Sequence, residues 1–131
     1  MKTSLKKGYM EDAGADIILS EQVVFKSHKM TIVDLGAICT PAPECMGYLV
    51  ARTSAAKKGL MVQSCPIDSY YEGPVHAIVY NASDEDIVYK EDEAFCQLVI
   101  VPIKTIRNVP CKREGRRSDS CFGGTDEKHQ S

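Results

Sequence analysis

The stretch Ile67-Asp68-Ser69-Tyr70-Tyr71-Glu72-Gly73 sets a carboxylate at the end of one apolar run and an aromatic ring three residues later, just before the next run. A turn here presents both groups to one cavity, where the carboxylate could take a proton. The same residue types also suit an ordinary hairpin, with Asp and Gly serving the turn and Tyr covering the end of a barrel. Upstream, Arg52-Thr53-Ser54 brings a guanidinium, two hydroxyls and backbone N–H groups to the end of a strand-like run. That combination suits phosphate oxygens, or a simple helix cap beside a surface arginine. Near the C-terminus, Arg117 and Phe122-Gly123-Gly124-Thr125 join a charge, an aromatic face and glycine-rich backbone. A nucleotide offers partners for each; a solvated tail has the same composition.

The elements that must hold these residues are short. Runs rich in Val, Ile and Tyr recur between polar or Gly/Pro punctuation at 16–19, 22–25, 30–38, 47–52, 60–65, 75–80 and 95–103, and read as strands. None repeats apolar residues at helical spacing over three turns. One helical turn is expected after Ser54, with Ser54 as its cap and Gly59 as its end. Polar segments 81–86 and 90–93 read as hairpin connections. The picture is an all-β antiparallel barrel or distorted jelly roll with at most one short helix. With 131 residues the chain supports one core, here 1–109, followed by a basic, Gly- and Ser-rich tail, 110–131.

Charge excludes some partners. Lys and Arg number 16 against 18 Asp and Glu, so nothing in the total calls for nucleic acid or an anionic membrane. The longest apolar stretch, 98–103, is broken by Pro102 and falls far short of the roughly 20 residues that span a bilayer. The basic start is followed by Gly8, Glu11 and Asp12 where a signal peptide needs an apolar run, so a cytoplasmic protein is expected. The six cysteines include no C-x-x-C pair, which argues against a zinc site; Cys39, Cys65 and Cys96 read as small buried residues.

In this order the segments resemble the motifs of the trimeric dUTPase family, which also includes the dCTP deaminases. Asp12-Ala13-Gly14-Ala15-Asp16-Ile17 is similar to its D-A-G-x-D-L run, and Arg52-Thr53-Ser54 to its R-S-S or R-S-G. Ile67-Asp68-x-x-Tyr71-x-Gly73 is similar to I-D-x-x-Y-x-G, and the run from Asp92 through Gln97 and Leu98 to G-D-R-I-A-Q-L. Arg117, Phe122, Gly123 and Thr125 map onto the final R-G-x-G-G-F-G-S-T. The resemblance implies magnesium-dependent hydrolysis of dUTP to dUMP and pyrophosphate. In it, Asp68 activates the water, Arg52, Thr53 and Ser54 hold phosphates, and Arg117 reaches the γ-phosphate. Tyr71 lies under the deoxyribose, and main-chain groups near Ile67 and His76 read uracil. Asp16 and Gln97 touch Mg2+ through water, and Phe122 closes over the base as the tail orders. It also implies a homotrimer with shared active sites, for which 95–101 and 33–38 are expected to line the axis.

Two departures bear on activity. Ser118, Ser120 and Cys121 stand where the family commonly has glycine, and Glu91 and Glu93 replace Gly and Arg in the fourth motif. The deaminases place a glutamate five residues past the I-D motif's glycine; here that position is Ile78, which cannot move a proton. The rival readings are a catalytically weak relative that senses nucleotides or binds a protein, and a dCTP-directed hydrolase or deaminase.

Overall fold

Alternation of side chains across a pleated strand decides most of this fold. In β5 (Cys45–Ala51), Gly47 and Leu49 are buried, and in β9 (Cys96–Pro102), Cys96 and Leu98 are buried. These two strands pair antiparallel from Cys45↔Pro102 to Ala51↔Cys96 and form the longest ladder among the described residues. The computed structural model describes residues 1–63 and 65–112. Within them, β2 (Ala15–Ile18) adds to the other side of β9, and β1 (Ser4–Lys6) pairs with β2, giving the sheet order β1-β2-β9-β5. A second sheet runs β4-β7-β6, from Met30–Asp34, His76–Asn81 and Leu60–Gln63. The pair β3 (Val23–Phe25) and β8 (Ile87–Tyr89) completes an all-β fold.

The sheets close on an aromatic cluster. Phe25 meets Phe95 edge-on at 5.0 Å, and Tyr89 lies 5.9 Å from Phe95. The buried polar residue beside them, Asn81, is fully satisfied. Its amide donates to Phe25 O (2.9 Å) and Glu85 O (2.8 Å), and its oxygen accepts from Ser83 N and Oγ. The expected helical turn is α1 (Thr53–Lys58), closed by Gly59 in the left-handed region at φ 111°. Its N-cap is Arg52, not Ser54. The chain leaves β5 extended at Arg52, whose N–H donates to Phe95 O, and so the helix begins two residues earlier.

Other expectations are corrected. Segments 81–86 and 90–93 are not hairpin connections, because β7 pairs with β4 and β6, β8 with β3, and β9 with β2 and β5; the chain crosses between sheets at both. The run beginning at Met30 stops at Asp34, whose Oδ1 accepts Gly36 N–H at a bend. Val33, Leu35, Phe95, Cys96 and Leu98 lie in the core, so only alternate residues of the two runs remain to line any axis. Cys65 is exposed because β6 ends at Gln63, while Cys39 is half-buried and Cys96 wholly buried. No described helix is long and apolar enough to cross a membrane.

Candidate active site

The loop that carries Asp68 is held by its backbone. Ile67 exchanges two hydrogen bonds with Gly47 in the middle of β5, Gly47 N to Ile67 O at 2.9 Å and Ile67 N to Gly47 O at 2.8 Å. Ser69 Oγ donates to Cys45 O (2.6 Å), and Tyr70 N, at φ 68°, donates to Pro41 O (2.8 Å). These bonds carry the loop toward the start of β5 and leave Asp68 exposed at its tip. Gly47 makes the approach possible, since a Cβ there would lie 3.1 Å from Ile67 Cβ and 3.3 Å from Cys39 Sγ. Tyr71 is half-buried against the core and its hydroxyl donates to Pro74 O at 2.7 Å, which fixes the ring. On the return strand, His76 stands opposite Asp34, with Nε2 3.8 Å from Asp34 Oδ2.

At the other end of β5 a second group assembles. Lys6, Asp16, Gln97 and Val50 form one row across β1, β2, β9 and β5, so their side chains share a face. Arg52, two residues beyond Val50, places Nε 3.3 Å from Asp16 Oδ1 and donates from NH1 to Ala94 O at 3.1 Å. A Cβ on Gly14 would come 2.8 Å from Gln97 Oε1 and 3.0 Å from Leu98 O, so the glycine of the first motif is what lets Gln97 lie across β2. Arg52, Ser54 and Asp16 open onto a cleft of about 450 Å³. Thr53 is exposed on the first turn of α1, outside that cleft.

The two groups do not meet within one chain. Gly47, which holds the Asp68 loop, and Arg52, the extended residue that follows β5, are five residues apart, about 17 Å at 3.3–3.4 Å per residue. Ile67, Asp68 and Tyr71 thus belong to one half of the expected constellation, with His76 beside Asp34 on β7, and Asp16, Arg52, Ser54 and Gln97 belong to the other. Arg117 and Phe122 lie outside the described residues. The sequence reading missed Lys6, Lys58 and Tyr89 at the cleft. Lys6 was legible only through the pairing of β1 with Asp16, and Lys58 through its place in the last turn of α1.

Among the described residues no group of three or more His, Cys, Asp or Glu side chains could hold a metal ion. Burial pushes the Cys96 thiol up to about 12, with the Asp16 carboxylate adding to it, and burial raises Cys39 too. Neither thiol is a nucleophile near neutral pH.

The chain is similar to known proteins in sequence and in fold. A family model described as dUTPase matches residues 2–126. The Pol polyprotein of Ovine maedi visna related virus (strain South Africa) is 28% identical over 117 residues, which cover 88% of this chain and 11% of the polyprotein. The chain thus spans about a tenth of that relative's length. The deoxyuridine 5'-triphosphate nucleotidohydrolase of Paramecium bursaria Chlorella virus 1 is 31% identical over 104 residues, covering 79% of this chain and 74% of the relative. Among solved structures, native EIAV dUTPase superposes with a TM-score of 0.70 at 23% identity, over 86% of this chain and 94% of the other. A point mutant of the dUTPase from phage phi11 of S. aureus, described with a structural Mg(II) ion, gives 0.69 at 20% identity over 86% and 91%. At these identities the structural likeness speaks for the fold.

Proposed function

The chain belongs to the dUTPase family, and on that footing we propose that it hydrolyses dUTP to dUMP and pyrophosphate, with Asp68 activating the attacking water. The observation that carries this reading is the Asp68 loop. Its backbone is anchored to Gly47 and Pro41 and its Ser69 hydroxyl to Cys45 O, Asp68 is exposed, and Tyr71 is pinned three residues on by its bond to Pro74 O. Asp68 takes a proton from water as the oxygen attacks the α-phosphorus in line, and pyrophosphate leaves. Tyr71 lies under the deoxyribose, where a 2′-hydroxyl would clash. Main-chain groups near Ile67 and His76 read uracil. Arg52, Thr53 and Ser54 hold the phosphates, Arg117 reaches the γ-phosphate, and Phe122 closes over the base.

The residues fit a magnesium ion carried by the triphosphate better than one caged by the protein. Asp16 and Gln97, paired across β2 and β9, offer one carboxylate and one amide oxygen, short of an octahedral shell. They would touch the ion through its waters, and the ion when bound offsets phosphate charge.

A second copy completes the site. The separation of about 17 Å between the halves supports a shared site. So does an apolar outer face on β4-β7-β6, where Met30 (64% exposed), Met61 (61%) and Tyr80 (40%) form one row. A closed homotrimer follows by family resemblance. A cytoplasmic location goes with this reading, and the described cysteines are all free thiols. Ile78 in β7 argues against deamination.

The test is pyrophosphate release from dUTP, dCTP, dTTP and UTP, with and without magnesium, for wild type and Asp68→Asn. Selective, magnesium-dependent release from dUTP that falls by about 10²–10⁴ in Asp68→Asn supports the reading. Turnover that survives within about tenfold contradicts it.

A further inference from the structure

The Arg52 cleft holds more positive charge than the family motifs account for. Lys6, at the end of β1, stands directly opposite Asp16, and Lys58, in the last turn of α1, lines the same cleft. Neither lysine forms an ion pair among the described residues. Lys58 is nonetheless held in place, because its Nζ sits 4.9 Å from the centre of the Tyr89 ring. That ring is buried in the aromatic cluster and cannot swing away. Lys7 is occupied otherwise; its Nζ donates to Met10 O at 2.7 Å and ties down the loop after β1.

Three carboxylates line this cleft with the cations, and two of them are engaged; Lys58 also borders Asp84, Glu85 and Asp86 on a neighbouring cleft. Asp16 pairs with Arg52, and Glu93 Oε1 accepts Lys90 N–H at 2.7 Å within its own turn; Asp92 is the third. Lys6, Lys7, Lys58 and Arg52 stand against Asp16, Asp92 and Glu93, an excess of one positive charge that includes Lys7, whose ammonium keeps its charge while bonded to Met10 O. Arg52 is largely spent on Asp16 and Ala94 O. The charge available to an incoming anion therefore resides on Lys6 and Lys58. An ammonium is a compact point charge with three rotatable donors, suited to the oxygens of a polyphosphate chain.

We propose that Lys6 and Lys58 bind the terminal phosphates of the nucleoside triphosphate, with Tyr89 as the positioning residue that holds Lys58 over the cleft. This rests on the reading of the cleft as the phosphate site. It also answers the acidic substitution at Glu93, since cations from β1 and α1 supply the charge that the family's arginine would bring at that position.

Lys6→Gln and Lys58→Gln are each expected to raise KM for dUTP by about tenfold, as loss of one charge-assisted contact does. The affinity for dUMP, which lacks the terminal phosphates, stays within about twofold. Tyr89→Phe keeps the ring and the wild-type KM, while Tyr89→Leu raises KM as Lys58→Gln does. KM within twofold of wild type in both lysine variants, or equal losses for dUMP and dUTP, overturns the proposal. Sodium tripolyphosphate binding by calorimetry separates it from the functional reading. If the wild type hydrolyses no dUTP, that reading falls, yet tripolyphosphate binding weakened about tenfold in both lysine variants upholds the lysine pair. Equal tripolyphosphate binding in all three proteins overturns it.

Discussion

Adding a single methyl group at Gly47 tests how the Asp68 loop is held. A Cβ there would lie 3.0 Å from Ile67 Cδ1, 3.1 Å from Ile67 Cβ and 3.3 Å from Cys39 Sγ. Carbons in ordinary contact stand about 3.5–4.0 Å apart, so Gly47→Ala must push Ile67 out by roughly half an ångström. The flexible Cδ1 can rotate away, but Ile67 Cβ is fixed to a backbone that exchanges two hydrogen bonds with residue 47. The push therefore reaches Asp68, the next residue. A misplacement of about 1 Å costs on the order of 10²-fold in rate, so half that shift is expected to lower kcat about tenfold. The overpacking should also cost about 1–3 kcal/mol of stability. Pyrophosphate release and thermal melting read the two effects. Ile67→Val in the Gly47→Ala background removes Cδ1 and leaves Cβ, so recovery should be partial. A Gly47→Ala protein with kcat within twofold of wild type and an unchanged Tm would refute the argument.

Three further outcomes follow from particular groups. At pH 8 a thiol reagent should label exposed Cys65 and Cys111 at once and reach Cys96, whose thiol is raised to about 12 by burial, only on unfolding; early labelling of Cys96 in the native protein contradicts this. Glu44 is held below its ordinary 4.5 by the Thr105 hydroxyl and then by the Arg107 guanidinium. Because the folded value is the lower one, the anchor on 103–107 is present above pH 4.5 and is lost as pH falls through that depressed value. Amide protection of 103–107 should drop there, and Glu44→Gln should abolish the difference. Removing residues 111–131 should leave the melting transition in place while collapsing kcat; an unchanged rate would refute a closing role for the tail.

Much of the fold was legible because β-branched runs bounded by polar residues form strands whatever surrounds them. The two strands that escaped lack that signature. β1 is Ser-Leu-Lys with all three residues exposed, and it exists only by pairing with β2. β8 is a buried-exposed-buried triplet inside a polar stretch. The candidate residues were legible from their chemistry, since an exposed carboxylate before an aromatic, or an arginine before two hydroxyls, is recognisable from type and order. Their division into two halves was not. It depends on Ile67 pairing with Gly47 and not with a residue nearer Arg52, and that register is fixed by Gly47's missing side chain together with Cys39 and the bonds to Cys45 and Pro41. Ser54 fits the residue preference for an N-cap, yet the cap falls where the chain leaves β5.

Sites that draw Asp68 from one copy and Arg52 from another can be tested by mixing two dead proteins. Asp68→Asn and Arg52→Ala are each expected to be inactive alone. Unfolded together in equal amounts and refolded, they should regain about a quarter of wild-type pyrophosphate release, because one pairing of neighbours in four combines an intact Asp68 with an intact Arg52 in a closed ring. A mixture as inactive as its components would mean that each site is built within a single chain.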